Sequence, residues 1–224
     1  MKAIITGSAG FVGRTLHRHL LESGDRVIAT DRTSGGPDVT DRDGVIDFFA
    51  GHAVDVVYHL AGQAHVPTAW ADPIGTFRTN AEGTLNVLDA AAKSGVRRCV
   101  VVTSAEVYGR VPSEAQPIDE STPLRPVNPY AASKVAADAV AIQAHLGRDQ
   151  DVVRMRAFNH IGPGQSPGFV VAGLAERIAR AERSGTATIA VGNLSPRRDF
   201  TDVRDVVRAY RIVAEHGAAG EAYN

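Results

Sequence analysis

The sequence predicts an α/β protein built around a doubly wound parallel sheet. Three observations lead to this prediction: short runs rich in Val and Ile recur along the 224 residues, longer Ala-rich stretches separate them, and the short runs are bounded by Gly, Asp or Ser. Strands that alternate with helices form crossover units, and the carboxyl ends of such strands line the ligand crevice. We therefore expect functional residues just after the strands.

Five strands and five helices are predicted in chain order. The strands are expected at residues 2–6, 26–30, 54–59, 98–103 and 151–156, and the helices at residues 10–23, 76–93, 129–146, 169–184 and 202–216. In the first helix Val12, Leu16 and Leu20 recur every four residues, and Gly24 is a suitable C-cap. Two Pro-rich segments, residues 111–129 and 162–168, are predicted loops. We expect one domain over residues 1–157 and a small lobe over residues 158–224 that is interleaved with late elements of the first domain.

Composition argues against several classes of function. The 24 Lys and Arg residues nearly balance the 25 Asp and Glu residues, so the chain offers no basic surface for nucleic acid. The longest apolar stretches are well short of the roughly 20 residues that span a bilayer, and no membrane association is expected. Cys99 is the single cysteine and lies in an apolar run, so we expect a buried hydrophobe, no disulfide, no metal site and a reducing, cytoplasmic location.

A glycine-rich turn follows the first predicted strand. Gly7, Gly10 and Gly13 are spaced by three residues and open the first helix, and these glycines are expected to bind the cofactor together with Phe11 and Val12. Such glycines let the backbone turn tightly and approach a pyrophosphate, while the helix N-terminus supplies amide donors. Turns of this kind also occur for steric reasons alone, so the motif needs support from its surroundings.

Residues after the next two strands supply that support. Asp31 ends the second strand 18 residues after Gly13, where a carboxylate accepts hydrogen bonds from ribose hydroxyls and repels a 2′-phosphate. This arrangement favours NAD, while the neighbouring Arg32 leaves NADP open. Two further sets of residues are expected to line the cofactor: Asp38 and Val39 beside the adenine, and Leu60, Ala61 and Gly62 beneath the dinucleotide. His59 is expected to be structural.

A reactive centre is predicted from three polar residues. Tyr130 and Lys134 are four residues apart and share one helix face, so an ammonium lies where it can lower the pKa of a phenol. Ser104 ends the fourth strand and can donate to the same substrate oxygen. Taken alone, Tyr130 and Lys134 could lie on a solvated helix face, and Ser104 could be a cap. The order of the glycine motif, Ser104, and then Tyr130 with Lys134 is more specific than any one of these residues.

With these motifs the sequence resembles the extended short-chain dehydrogenase/reductase family. Within that family it is most similar to the enzymes that modify nucleotide sugars. The resemblance runs through almost the whole chain. It rests on eight short matches: residues 7–13, Asp31, residues 59–63, residues 80–84, residues 104–109, Tyr130 with Lys134, residues 159–165 and residues 198–200.

The resemblance implies a Rossmann fold and a role for each matched position. Ser104, Tyr130 and Lys134 are implied to be the catalytic set, with Lys134 also reaching the nicotinamide ribose. Asn159 and Arg198 are implied to bind the diphosphate of a sugar nucleotide, and Gln63 and His65 to lie beside the hexose. Asn80 is implied to kink its helix.

Three reactions occur on this scaffold: 4-epimerisation, 4,6-dehydration and reduction of a 4-keto sugar. Glu106 stands where dehydratases of this kind carry a glutamate, whereas Ala105 replaces the aspartate of dTDP-glucose dehydratases. Several segments are most similar to the GDP-4-keto-6-deoxy-mannose reductases, which make GDP-rhamnose, and we expect that activity. Dehydration and epimerisation remain alternatives, as does a cofactor-binding sensor without turnover, because a fold does not determine a function.

Two expectations concern assembly and length. The Ala-rich helices at residues 76–93 and 130–146 carry Leu85, Leu88, Val135 and Val140, which could pair across a two-fold axis or pack within the chain, and we expect a homodimer. The family usually continues beyond residues 222–224, so we expect the chain to be a fragment with an incomplete substrate lobe.

Overall fold

The computed structural model describes residues 1–224 and contains a six-stranded parallel sheet. Its strands are β1 (Lys2–Thr6), β2 (Arg26–Thr30), β3 (Val56–His59), β4 (Arg98–Val102), β5 (Val152–Met155) and β8 (Ala222–Tyr223). Hydrogen bonds place them in the order β2-β1-β3-β4-β5-β8, and every neighbouring pair is parallel. The predicted doubly wound α/β fold is confirmed.

Five of the eight helices bury apolar side chains together with those of the sheet. The eight helices are α1 (Phe11–Glu22), α2 (Arg42–Ala50), α3 (Val66–Ala71), α4 (Pro73–Phe77), α5 (Gly83–Lys93), α6 (Pro129–Arg148), α7 (Val170–Ser184) and α8 (Val203–His216). Side chains from α2, α5 and α6 form one buried cluster with the sheet. Side chains from α1 and α8 form a second cluster with the sheet.

The segment predicted as one helix over residues 76–93 is built from three pieces. It runs through the end of α4, a π-helical turn at Arg78–Glu82, and α5. A π-turn adds one residue to the helical repeat and commonly marks a functional position. Asn80 lies in this turn, at the position where the sequence predicted a kink.

A second, two-stranded sheet lies outside the main one. It pairs β6 (Asn159–Ile161) with β7 (Phe200–Asp202) in parallel, and α7 connects them along the chain. After β7 the chain returns to the main layers as α8 and β8. The domain boundary at residues 157 and 158 stays a prediction.

Several elements were not predicted from the sequence. The helices α2, α3 and α4 have nine residues or fewer, and β6 and β7 have three each, so their periodicity is too short to read. The side chains named for a dimer surface also differ in environment. Leu88 is buried in the core, whereas Leu85 is exposed.

No helix combines the length and the apolar character needed to cross a bilayer. The chain likewise holds no cluster of three or more His, Cys, Asp or Glu side chains that could bind a metal ion. Cys99 is buried, as expected from its apolar neighbours, and burial raises the pKa of its thiol to about 12. The cysteine is therefore a thiol packed in the core rather than a nucleophile.

Candidate active site

A cleft of about 500 Å³ runs across the carboxyl ends of β1, β2 and β3. The sheet order changes direction here, because β2 lies on one side of β1 and β3 on the other. This switch point is where doubly wound sheets bind ligands. Its lining includes most of the residues that the sequence assigned to the cofactor: Gly7, Gly10, Asp31, Arg32, Asp38, Val39, Leu60, Ala61 and Gly62.

The glycine-rich turn allows backbones to approach closely at the floor of the cleft. Gly7 has a φ of +72°, and a Cβ added there would lie 2.6 Å from the amide nitrogen of Ala61. A Cβ at Gly13 would overlap the carbonyl oxygen of Gly7. Gly10 starts α1 without any side-chain cap, so the helix N-terminus faces the cleft with backbone groups only. This geometry suits an anionic diphosphate.

Phe11 and Val12 do not line the cleft, although both lie within the motif. The ring of Phe11 stacks on His160, with ring centroids 6.2 Å apart, and Val12 packs against the core cluster beneath α1. Both positions therefore hold α1 in place. Their assignment to cofactor binding stays a prediction about backbone contacts.

Asp31 is held in a fixed orientation at the end of β2. Its carboxylate accepts hydrogen bonds from the backbone amide and hydroxyl of Thr33, at 2.8 and 2.7 Å. Burial acts to raise the pKa of Asp31, but these hydrogen bonds outweigh it and the pKa lies below its usual value. Asp31 is therefore an anion at neutral pH. Arg32 is engaged by Asp38, with 3.2 Å between guanidinium and carboxylate.

Ser104 and Tyr130 meet where β4 ends and α6 begins. Ser104 caps the short 3₁₀ turn Ala105–Tyr108, while Asn128 caps α6 by accepting from the amide of Ala131 at 2.7 Å. Tyr130 is buried, and the Ser104 hydroxyl lies near enough to affect its pKa. Burial raises the pKa of Tyr130, the Ser104 hydroxyl lowers it, and the Glu106 carboxylate raises it, with a net result above its usual value.

This net direction corrects the expectation that Lys134 lowers the pKa of Tyr130. Lys134 is itself buried, and burial lowers the pKa of its ammonium to about 8. Its Nζ donates to the carbonyl oxygen of Val102 at 2.9 Å, which ties α6 to the end of β4. A Cβ added to Gly62 would lie 3.3 Å from the same Nζ, so the ammonium faces the strip of backbone under the cleft.

Asn80 connects the loop after β3 to the helix that carries Tyr130. Its Oδ1 accepts from the amide of Gln63 at 2.8 Å, and its Nδ2 donates to the carbonyl of Gln63 and to the hydroxyl of Ser133, at 3.0 and 2.8 Å. Ser133 in turn donates to the carbonyl of Tyr130 at 2.7 Å. The π-turn thus ties the loop after β3, which lines the cleft, to the first turns of α6.

Glu106 lies near the reactive pair, as its effect on the pKa of Tyr130 shows. Its Oε2 accepts from the amide of Asn128 at 3.3 Å. His59, in contrast, is fully enclosed, with Nδ1 2.8 Å from Thr6 Oγ1 and Nε2 3.1 Å from Thr84 Oγ1. Burial lowers the pKa of His59 to about 3, and the residue is structural, as expected.

The four residues assigned to substrate lie in two places. The side chain of Gln63 lines the cleft and donates to Thr76 at 3.0 Å, and the ring of His65 lies near Phe169, with centroids 6.3 Å apart. Asn159 and Arg198 flank the β6–β7 pair, where Asn159 is opposite Phe200. The Asn159 amide donates to the carbonyl of Asp199, and the exposed Arg198 donates to the carbonyl of Arg197.

The sequence did not identify one buried cluster next to this site. Asp138 on α6 accepts from Arg154 on β5 and from Arg156 just after it, and Arg156 continues to the phenol of Tyr108. Two arginines in the predicted strand at residues 151–156 were the signal, because charged side chains are seldom buried without partners.

Known proteins resemble this chain in both sequence and structure. A sequence profile of the NAD dependent epimerase/dehydratase family matches residues 3–224. A GDP-6-deoxy-D-mannose reductase of Pseudomonas aeruginosa is 39% identical over 225 residues, which is 100% of this chain and 73% of that protein.

Two solved structures extend the similarity to three dimensions. RMD from Pseudomonas aeruginosa complexed with NADPH superposes with a TM-score of 0.91 at 38% identity, over 100% of this chain and 76% of that one. DesIV (dTDP-glucose 4,6-dehydratase) from Streptomyces venezuelae, with NAD and TYD bound, gives 0.88 at 30% identity, over 100% and 74%.

Proposed function

The chain belongs to the NAD dependent epimerase/dehydratase family, and we propose that it reduces the 4-keto group of a GDP-bound 6-deoxy sugar. The enzyme is an NAD(P)-dependent short-chain dehydrogenase/reductase that acts on a nucleotide sugar. The specific substrate proposed is GDP-4-keto-6-deoxy-mannose and the product GDP-rhamnose. The observation that carries the proposal is the buried Ser104–Tyr130 pair beside a cleft shaped for a dinucleotide.

The cleft fits a dinucleotide in both space and chemistry. Gly7 and Gly10 bring backbone and a helix N-terminus to the place of the diphosphate, and Asp31 offers an anion for ribose hydroxyls. Thr30 also lines the cleft, and its buried hydroxyl oxygen has no partner within the protein. Lys134 has used one hydrogen bond and retains donors for the nicotinamide ribose.

Tyr130 is the proton donor in this proposal. When bound, the reduced nicotinamide supplies the hydride that the carbonyl carbon at position 4 accepts. The Tyr130 phenol gives its proton to the carbonyl oxygen as the C=O bond becomes C–OH, and Ser104 hydrogen-bonds that oxygen. The raised pKa of Tyr130 keeps the phenol protonated at neutral pH, which is the form that reduction needs. Solvent reprotonates the phenolate afterwards.

Reduction is favoured over dehydration by the residue beside Ser104. Elimination across carbons 5 and 6 needs a base for one proton and an acid for the leaving hydroxyl. Ala105 brings no ionisable group to that position, so Glu106 is the carboxylate left near Tyr130 to serve as acid or base. Because the Glu106 carboxylate accepts from Asn128, its role here is to fix the start of α6 and to hydrogen-bond a sugar hydroxyl.

A second cleft, of about 230 Å³, is the proposed place of the nucleoside. It lies between the start of α7 and residues 192–194, and Phe169, Leu174 and Arg177 line it. Phe169 also approaches His65, so this cleft adjoins the loop that carries Gln63 and His65. Gln63 and His65 are then placed for the hexose, and Asn159 and Arg198 for the diphosphate.

The experiment that tests the function presents the 4-keto GDP sugar with NADH or NADPH and follows nicotinamide absorbance. Oxidation of the nucleotide with formation of GDP-rhamnose is the expected result. A panel of UDP, dTDP and GDP sugars, scored by thermal stabilisation with the dinucleotide present, identifies the base independently. Dehydration of GDP-mannose without nucleotide oxidation would replace this proposal with the dehydratase alternative.

We further propose that the chain forms a homodimer through an apolar surface on the helices α3, α4 and α5. Trp70, Ile74 and Phe77 are spaced by four and three residues and are all exposed, and Leu85 on α5 is exposed as well. An exposed patch of large apolar side chains indicates an interface. Ile74→Glu should convert a dimer in gel filtration to a monomer; a wild-type monomer at micromolar concentration would contradict this proposal.

A further inference from the structure

Asp138 is a buried carboxylate that the reaction does not use. It lies on α6, four residues after Lys134 and eight after Tyr130, so the three side chains share one face of the helix. Its oxygens accept from Arg154 Nη1 at 2.6 Å, from Arg156 Nε at 2.9 Å and from Arg156 Nη2 at 2.9 Å. The side chain is 2% exposed, and it is absent from the lining of either cleft.

Arg156 carries these contacts to the Ser104 turn. Its Nη1 donates to the hydroxyl of Tyr108 at 3.1 Å and to the carbonyl of Glu120 at 3.1 Å. The guanidinium carbon lies 5.5 Å from the centre of the Tyr108 ring, and the Tyr108 hydroxyl donates to Asn224 Oδ1 at 2.7 Å. Tyr108 is the last residue of the 3₁₀ turn that Ser104 caps.

The same carboxylate also reaches the residue before Ser104. The Thr103 hydroxyl lies 3.4 Å from Asp138 Oδ2 and 3.2 Å from the carbonyl oxygen of Met155. The turn that carries Ser104 is thus held at both ends, by Thr103 and by Tyr108. The helix that carries Tyr130 is held by Asp138. We call Asp138, Arg154, Arg156 and Tyr108 the Asp138 network.

Burying three charges is a costly way to stabilise a fold. Each ion loses hydration, and apolar residues of similar volume often serve stability as well or better. The network instead fixes the relative position of the elements it joins, because a guanidinium group sets the angle and distance at which a carboxylate binds. The two elements so fixed are the turn that Ser104 caps and the helix that carries Tyr130.

We propose that the Asp138 network is a positioning device that sets the separation of the Ser104 turn and α6, and so keeps the Ser104 hydroxyl beside the Tyr130 phenol. The value of that placement for the reaction rests on the proposed function. None of the four residues touches the reacting atoms. They act through Ser104 and Tyr130.

Asp25 provides a matched control for the loss of a buried ion pair. Its carboxylate is also 2% exposed and accepts from Arg211 Nε at 2.9 Å and from the amino group of Met1. It links the start of β2 to α8 and contacts neither the Ser104 turn nor α6. Asp25→Asn should therefore lower the melting temperature without affecting Tyr130.

The test compares Tyr108→Phe, Asp138→Asn, Asp138→Glu and Asp25→Asn in the full chain. The titration of Tyr130 is read as phenolate absorbance, taken as the difference between each protein and its Tyr130→Phe derivative. In Tyr108→Phe and Asp138→Asn the Tyr130 titration should move to higher pH, because the Ser104 hydroxyl, which lowers the pKa of Tyr130, is no longer held beside the phenol. Turnover should fall about tenfold or more with the KM for dinucleotide within about twofold, and Asp138→Glu should recover part of both.

Two outcomes would overturn the proposal. One is an unchanged Tyr130 titration in Tyr108→Phe, the mildest of these changes, which removes a single hydroxyl. The other is a set of variants that, like Asp25→Asn, lose only thermal stability. Absence of turnover in the wild-type protein with every sugar nucleotide would refute the proposed function instead, while the Tyr130 titration would still decide this inference.

Discussion

The ammonium of Lys134 donates to the carbonyl oxygen of Val102, 2.9 Å away. This contact joins the second turn of α6 to Val102, the last residue of β4, two residues before Ser104. It leaves a buried cation with a single hydrogen bond at the floor of the cleft. An ammonium in that state is stabilised further by any ligand that offers it oxygen atoms.

The first prediction concerns the pH dependence of stability. The pKa of Lys134 is about 8 in the folded chain against 10.5 for an ordinary lysine. Between these two pKa values Lys134 is mostly neutral in the folded chain and still protonated in the unfolded chain. The residue therefore makes the free energy of unfolding rise with pH from about 8 to 10. Lys134→Met should remove that rise and, near pH 7, increase the stability of the ligand-free protein by about 1–3 kcal/mol.

Urea unfolding at about pH 7 and about pH 9.5 measures this difference. Lys93→Met is the control, because Lys93 is exposed and pairs with Asp89 on the surface of α5. The control should leave the dependence on pH as it is in the wild type. A Lys134→Met protein with the same dependence would show that burial does not depress the pKa of this ammonium.

A second prediction separates two costs of adding a methyl group to a glycine. Gly7 and Gly95 both have a left-handed φ, of +72° and +67°, but only Gly7 would place a Cβ against another backbone segment. Gly95→Ala should cost about 1 kcal/mol through φ alone. Gly7→Ala should cost more and weaken dinucleotide binding at least about tenfold, as measured by nicotinamide fluorescence and thermal unfolding. Equal binding by the two variants would contradict the assigned role of the turn.

The third prediction addresses the choice of dinucleotide. Asp31→Asn keeps the oxygen that caps the turn at Thr33 but removes the charge that repels a 2′-phosphate. The ratio of kcat/KM for NADPH to that for NADH should rise about tenfold. Asp119→Asn is the control, since Asp119 makes the same kind of turn with Ser121 away from the cleft. A ratio that stays constant in Asp31→Asn would place the ribose elsewhere.

The main strands and the long helices could be predicted from the sequence because each has a clear pattern of apolar residues. The predicted strand at residues 26–30 matches β2, and the predicted helix at residues 129–146 matches α6 apart from its last two residues. The helices α3 and α4 were not predicted because six and five residues hold less than two helical turns. The pairing of β6 with β7 depends on contacts across some 40 residues, which no local pattern records.

The parts of the site that depend on local backbone features could be predicted from the sequence. The parts that depend on side chains from distant segments could not. Glycine spacing and strand ends located Gly7, Asp31 and Ser104, all of which adjoin the cleft or its reactive pair. The direction of the Tyr130 pKa was wrong, because spacing along a helix does not reveal burial. The Asp138 network was missed for the same reason: its partners come from another strand and another turn.

The central claim is that the Tyr130 phenol passes the proton during reduction of a 4-keto sugar nucleotide. The most direct measurement follows oxidation of NADPH at saturating 4-keto GDP sugar in wild type, Tyr130→Phe and Tyr58→Phe, where Tyr58 is a buried phenol remote from the cleft. Turnover should fall about 10²- to 10⁴-fold in Tyr130→Phe alone, with dinucleotide affinity retained. Wild-type turnover in Tyr130→Phe would contradict the account.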